Sequence, residues 1–184
     1  MKILITLLRG VNMTGHNSIK MARLTDLFMK LGYKDAETYI QTGNVVFTSK
    51  NDSATREIAL KIKKGIQKEF NYDITAIIRS IPELEKVIAD NPFTGELEFD
   101  PAKLAVVFLD NEPGADQLGR VMNVSSPPDK FMIIGREIYI YCPNGFGKSK
   151  LYTNFFESKM KVTGTARNWK TINSLLKIAE KKQF

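Results

Sequence analysis

The order in which apolar periodicities alternate between Met1 and Ile78 limits this chain to very few folds. Met1 to Leu8 is almost unbroken apolar sequence, as a strand covered on both faces requires. Met21, Leu24, Phe28 and Leu31 follow at helical spacing, and Gly32 supplies the stop. Glu37 to Gln41 and Val45 to Thr48 read as two strands about the turn Thr42-Gly43-Asn44. Asp52 and Ser53 are placed to cap a helix in which Ile58, Ile62 and Ile66 recur every four residues, and Ile74 to Ile78 is a short β-rich run. This β-α-β-β-α-β order is the ferredoxin-like plan, an antiparallel sheet with both helices on one face.

A helix opened by Pro82 and closed at Asn91-Pro92 leads into Phe93 to Pro101, which is acidic and irregular. A similar order then repeats. Lys103 to Leu109 reads as a strand, Asp116 to Met122 as a short helix, and Pro127-Pro128 as a break. Phe131 to Ile134 and Ile138 to Tyr141 form a hairpin about Gly135-Arg136, Lys150 to Met160 a helix, and Val162 to Ala166 a brief strand. Asn168 to Lys182 closes the chain as a helix with Trp169, Ile172, Leu175, Leu176 and Ala179 on one side. The expected class is therefore α+β: two ferredoxin-like halves of βαββαβ type with antiparallel sheets, the second less regular, plus a C-terminal helix. Expected boundaries are 1–81 for the N-terminal half, 82–102 for a helix and acidic linker, and 103–184 for a second α+β half with basic C-terminal helices. The duplication rests on element order, since no repeat of sequence accompanies it.

With 184 residues, 43% of them hydrophobic, the chain has enough apolar surface for a substantial core. No apolar run reaches the roughly 18 residues that span a bilayer, and the N-terminus carries a strand pattern without a small-residue cleavage site. The expectation is a cytoplasmic protein with no membrane partner. Cys142 and His16 are the sole cysteine and histidine, which rules out an internal disulfide and leaves no zinc set. Cys142 falls in a strand pattern, where a buried inert thiol is the usual outcome. No metal and no cofactor are expected, and the oligomeric state is left open.

Charge is distributed unevenly. Gly145 to Phe184 holds nine basic and two acidic residues, so it accounts for the whole formal net charge of +7. A basic segment of this kind suits an anionic partner, although lysine-rich helices are often simply solvated.

Two corners have the chemistry to meet such a partner. At the first, the strand ends at Arg9-Gly10, and Asn12, Thr14, Gly15, His16, Asn17 and Ser18 precede a helix beginning near Lys20. Free amides at a helix start, flanked by Arg9 and Lys20, suit an anion. A turn shaped by glycines, with Arg9 on a carboxylate, accounts for the same residues without a ligand. At the second, Tyr141-Cys142-Pro143-Asn144-Gly145-Phe146-Gly147-Lys148-Ser149-Lys150 runs from a strand through glycines to a lysine cluster. A Walker loop would need glycine at Cys142, so that assignment fails. Amides near Lys148, Ser149 and Lys150 remain as an anion site, with a plain serine-capped turn as the alternative.

Taken together, LLRGVNMTGHNSIKM (7–21), YIQTGNVVF (39–47), Asn91-Pro92-Phe93, YCPNGFGKSKL (141–151) and TARNWKTINSLL (165–176) resemble the bacterial proteins grouped as domain of unknown function 1697. The family's first segment is more usually LRGINVGG, where Met13-Thr14 depart here, and Ala166 replaces the second of two threonines before Arg-Asn-Trp. The resemblance implies a compact α+β fold with ferredoxin-like elements and implies no activity. By motif position it makes Arg9, Asn12, Lys20, Gln41, Asn44, Lys148, Ser149, Lys150, Arg167, Asn168 and Trp169 candidates for a ligand site.

Three functional readings follow. The first is a protein that binds an anionic ligand: nucleic acid, a nucleotide or phosphate. RNA-recognition modules of the same element order stack bases on strand aromatics, whereas the matching strands here offer only Phe47 and no RNP pattern. The second is a small-molecule enzyme acting on a phosphorylated or carboxylated substrate where the first corner, Gln41 to Asn44 and Arg167-Asn168-Trp169 converge. Against it, the sequence holds no nucleophile with an adjacent base, no carboxylate pair and no metal set, so catalytic residues are unassigned. In the third, Arg167, Asn168 and Trp169 are purely structural: two cap strand ends and the tryptophan anchors the last helix.

Overall fold

The computed structural model describes residues 1–13, 15–50, 54–95 and 99–183. It divides into two compact units, Met1–Glu85 with Ser174–Phe184, and Lys86–Asn173. Both are α+β, with antiparallel four-stranded sheets.

The first unit runs β1 (Lys2–Leu8), α1 (Met21–Lys30), β2 (Lys34–Tyr39), β3 (Asn44–Ser49), α2 (Thr55–Phe70), β4 (Ala76–Ser80) and the start of α3 (Ile81–Ala89). Its strands lie in the order β2-β3-β1-β4, the ferredoxin-like arrangement expected from the periodicities. Leu4 and Leu8 of β1, Val45 and Phe47 of β3, and Ile78 of β4 form one apolar face. Leu24, Leu27 and Phe28 of α1 and Ile58, Ile62 and Ile66 of α2 close over that face, in keeping with their spacings. Phe28, Tyr33 and Phe47 fill its centre, with ring centroids 4.7 to 5.9 Å apart. Two strands are displaced from expectation: β2 starts three residues early, at Lys34, and ends two early, at Tyr39, and β4 starts and ends two residues late. Asp52 and Ser53 lie outside the described residues.

The second unit contains β5 (Leu104–Leu109), α4 (Ala115–Gly119), β6 (Lys130–Ile134), β7 (Glu137–Tyr141), α5 (Thr153–Met160), β8 (Gly164–Asn168) and the start of α6 (Trp169–Lys181). Its strand order, β6-β7-β5-β8, repeats the first sheet element for element. Val107, Leu109, Ile138 and Ile140 meet Phe156 and Met160 of α5 in the core. Phe93 is buried and stacks on Tyr141, so the segment read as a linker begins with a pinned ring. Three elements differ from expectation. α4 ends at Gly119, α5 starts at Thr153 after a 3-10 turn at Phe146–Lys148, and β8 runs on through Arg167 and Asn168.

The repetition extends to register. Ile5 stands between Val46 and Arg79 across β3, β1 and β4. Val106 stands between Tyr139 and Arg167 across β7, β5 and β8. Arg79 and Arg167 thus share one row on the sheet face opposite α1 and α2, or opposite α5, and both are buried.

From Ser174 onward α6 belongs to the first unit. There the Tyr39 hydroxyl donates to Ser174 Oγ at 3.1 Å, and Lys182 pairs with Glu37 at 2.9 Å.

Candidate functional site

The loop between β1 and α1 is built by Asn12. Its backbone is left-handed (φ 54°), a conformation that asparagine tolerates better than most residues. From there the carboxamide accepts from Ile19 N–H at 2.8 Å and donates to the Ile19 carbonyl at 2.9 Å, as a strand neighbour would. The same Nδ2 donates to the Gln41 carbonyl at 2.8 Å, stitching the loop to the β2–β3 turn. Asn17, also left-handed, donates from Nδ2 to the Gly10 carbonyl at 3.0 Å. Val11 and Ile19 plug into the core beneath, so the loop between them is held at both ends.

The β2–β3 turn closes tightly on this loop. Gly43 has φ 75°, and a Cβ there would lie 2.8 Å from Leu8 Cβ and 3.0 Å from Val11 Cβ, so only glycine fits. Asn44 is buried and donates to the Tyr39 carbonyl and to Thr42 Oγ1, each at 3.0 Å.

Between loop and turn lies a cavity of about 470 Å³, lined in part by Asn12, His16, Ser18, Lys20, Met21 and Gln41. Lys20 is the cap residue of α1, its side chain makes no capping hydrogen bond, and the first turn of the helix carries no acidic residue. None of the described lining residues is a carboxylate. The positive end of the α1 dipole therefore opens into the cavity beside an exposed ammonium group. Of the sequence candidates, Asn12, Lys20 and Gln41 come together here, Asn12 as the fastening. His16 and Ser18 also line the cavity; their place in the same polar loop was the signal for them. Asn44 shapes the turn, while Arg9 is exposed and its amide donates to the Thr75 carbonyl at 3.0 Å. Thr14 lies outside the described residues.

The second corner is wired differently. Amides of Gly145, Lys148 and Ser149 donate to the carbonyls of Cys142, Gly145 and Phe146 at 2.9, 3.3 and 3.1 Å. Ser149 Oγ accepts from Leu151 N–H at 2.9 Å. Of the amides expected to be free here, those of Lys148 and Ser149 are therefore used within the turn, because the chain tightens into a 3-10 turn before α5. Burial pushes the Cys142 thiol above its ordinary pKa, a rise that its bond to Ser149 partly offsets and Asp129 reinforces.

Arg167-Asn168-Trp169 joins β8 to α6. Asn168 Oδ1 accepts from Thr171 N–H at 2.8 Å and so caps α6. Trp169 is half-buried at the first position of the helix. Arg167 Nη1 donates to Thr165 Oγ1 at 2.8 Å and to the Ala166 carbonyl at 2.7 Å, and burial lowers its pKa to about 10, which leaves it charged at neutral pH. Arg79, which is not among the sequence candidates, makes the equivalent bond from Nη1 to the Ile78 carbonyl at 3.0 Å. Its signal was an arginine inside an apolar strand run, matched by Arg167 at the same place in the second half.

Among the described residues no group of three or more His, Cys, Asp or Glu side chains is placed to hold a metal, and no helix is long and apolar enough to cross a membrane.

Fold and loop together define a doubled ferredoxin-like α+β protein whose first corner carries a cavity at a helix start. The chain belongs to the family described as protein of unknown function (DUF1697), whose model matches residues 1–139. Among solved structures it is similar to the conserved bacterial protein SP0830 from Streptococcus pneumoniae, at 20% identity and a TM-score of 0.74 over 98% of this chain and 99% of that one. That likeness is one of fold. Among curated proteins none matches the sequence.

Proposed function

We propose that this is a cytoplasmic anion-binding protein and that the cavity at the start of α1 takes a phosphate group, free or carried by a nucleotide or nucleic acid. The observation that carries the reading is the uncapped first turn of α1, open beside Lys20 in a cavity with no described carboxylate. Gln41 supplies a neutral donor across the cavity, and His16 adds a second group able to donate. The basic segment from Gly145 onward, with Lys148, Ser149, Lys150, Arg167, Asn168 and Trp169 as its candidates, favours the approach of an anion through its charge.

The test is binding of inorganic phosphate, a nucleoside triphosphate and a labelled single-stranded oligonucleotide at about 50 mM salt and again at about 200 mM, where phosphate contacts weaken steeply. The expected result is binding at the lower salt that Lys20→Ala abolishes for every probe. Lys148→Ala with Lys150→Ala should weaken the oligonucleotide alone. No binding of any probe at the lower salt, or binding indifferent to Lys20→Ala, overturns the reading.

A further inference from the structure

Each sheet has two edges, and edge strands need blocking if a chain is to stay apart from its copies. Three of the four edges formed by the described residues are blocked. β2 carries a register shift between Lys34 and Glu37, a left-handed Asp35 (φ 51°) and three charges along six residues. On β4 and β8 the outward carbonyls of Ile78 and Ala166 accept from Arg79 and Arg167, and the outward amides of Ser80 and Gly164 donate to Glu83 and Glu157 at 2.7 and 2.9 Å.

Of these devices β6 has only the single charge of Lys130 at its first position. Its sequence is Lys-Phe-Met-Ile-Ile, it pairs with β7 without a bulge, and Met132 is 47% exposed. Leu109 N–H bonds to the Arg136 carbonyl and Cys142 N–H to that of Lys103, which fixes the even-numbered residues of β7 as those bonded to β5. The odd ones bond to β6, through Ile134, Met132 and Lys130. Phe131 and Ile133 therefore point their N–H and C=O groups outward, and among the described residues nothing bonds to them.

We propose that β6 is a self-association strand whose partner is β6 of a second copy of this chain, paired antiparallel about Met132. That register is self-complementary. Phe131 of one copy faces Ile133 of the other, and the two donors and two acceptors on each edge satisfy one another completely. It sets Met132 opposite Met132, and it brings Asp129 at one end of the strand beside Arg136 at the other end of its partner. An extended peptide of another protein would satisfy the backbone groups without this pairing of flanking charges. The outcome is one continuous sheet of eight strands built from two second units.

Sedimentation of the full chain from about 1 to 200 µM tests this, because a homodimer forms by mass action. The expected result is a shift to twice the chain mass, lost in Met132→Lys, which sets two ammonium groups opposite each other, with the melting temperature of the two chains equal at dilutions where both are monomeric. Met132→Cys should oxidise to a disulfide-linked dimer, since directly opposed residues in a non-hydrogen-bonded pair lie within disulfide range. Cys142 is buried and does not compete. A monomer at every concentration, or a dimer that survives Met132→Lys and does not cross-link through Met132→Cys, overturns the proposal.

Discussion

Arg79 and Arg167 each donate to the carbonyl of the residue before them, at the same row of two sheets built from different parts of the chain. In both cases that carbonyl faces away from the neighbouring strand. A planar guanidinium with five donors can fold back along its own strand in this way, which lysine cannot do with the same geometry.

Arg79→Ala is therefore expected to cost roughly 3 kcal/mol, because it leaves a buried carbonyl without its donor and opens a cavity. Arg79→Lys should recover only a small part. Urea unfolding of the full chain measures both, and a loss within experimental error for alanine would show that the bond is incidental.

For Asn12 the expectation is about 2 kcal/mol lost in Asn12→Ala, since three hydrogen bonds go and a residue less tolerant of left-handed backbone is forced to keep φ 54°. Asn12→Asp keeps the acceptor for Ile19 but not the donor for Gln41. If Asn12 acts by fastening the cavity wall, phosphate affinity should fall in both variants while Lys20 is intact.

Cys142 gives a pH-dependent prediction. Its folded-state pKa lies above its unfolded value, so the buried thiol contributes stability that is fully present below the ordinary thiol pKa of about 8.5 and is lost as pH rises through the folded value. Unfolding free energy should decline from about pH 8 upward more steeply in the native sequence than in Cys142→Ala. The same burial predicts negligible reaction with a thiol reagent until denaturant is added.

The hydroxyl bond between Tyr39 and Ser174 ties β2 to the last helix. A double-mutant cycle of Tyr39→Phe and Ser174→Ala should give a coupling of about 1 kcal/mol. Additive single effects would mean that the helix docks by its apolar side alone.

Much of this architecture was legible in the sequence because strand and helix periodicities are local. Leu24 and Phe28 on α1, or Ile58, Ile62 and Ile66 on α2, declare their buried side without reference to anything distant. The ends of elements were less legible. Glycines and lysines from Gly145 to Lys150 are as compatible with a helix start as with the 3-10 turn that takes up the amides of Lys148 and Ser149, and the residues that follow, Leu151 and Phe156, are held in a core built from distant strands. At the first corner the polar residues could be recognised, but their division of labour could not. Asn12 and Lys20 look equally suited to a ligand, and only the left-handed backbone and the distances to Ile19 and Gln41 separate a fastening from an exposed cation. Arg79 was invisible for a related reason: whether an arginine in an apolar strand turns outward depends on what lies beside the strand.

The return of α6 to the first sheet has a consequence for synthesis. β2 gains its bonds to Ser174 and Lys182 only after the whole second unit has been made, so Met1–Glu85, though translated earlier, leaves the ribosome tunnel without α6 beside it. A nascent chain stalled before Ser174 should expose that strand to proteases and chaperones, and the emergence of α6 is the event that seals it.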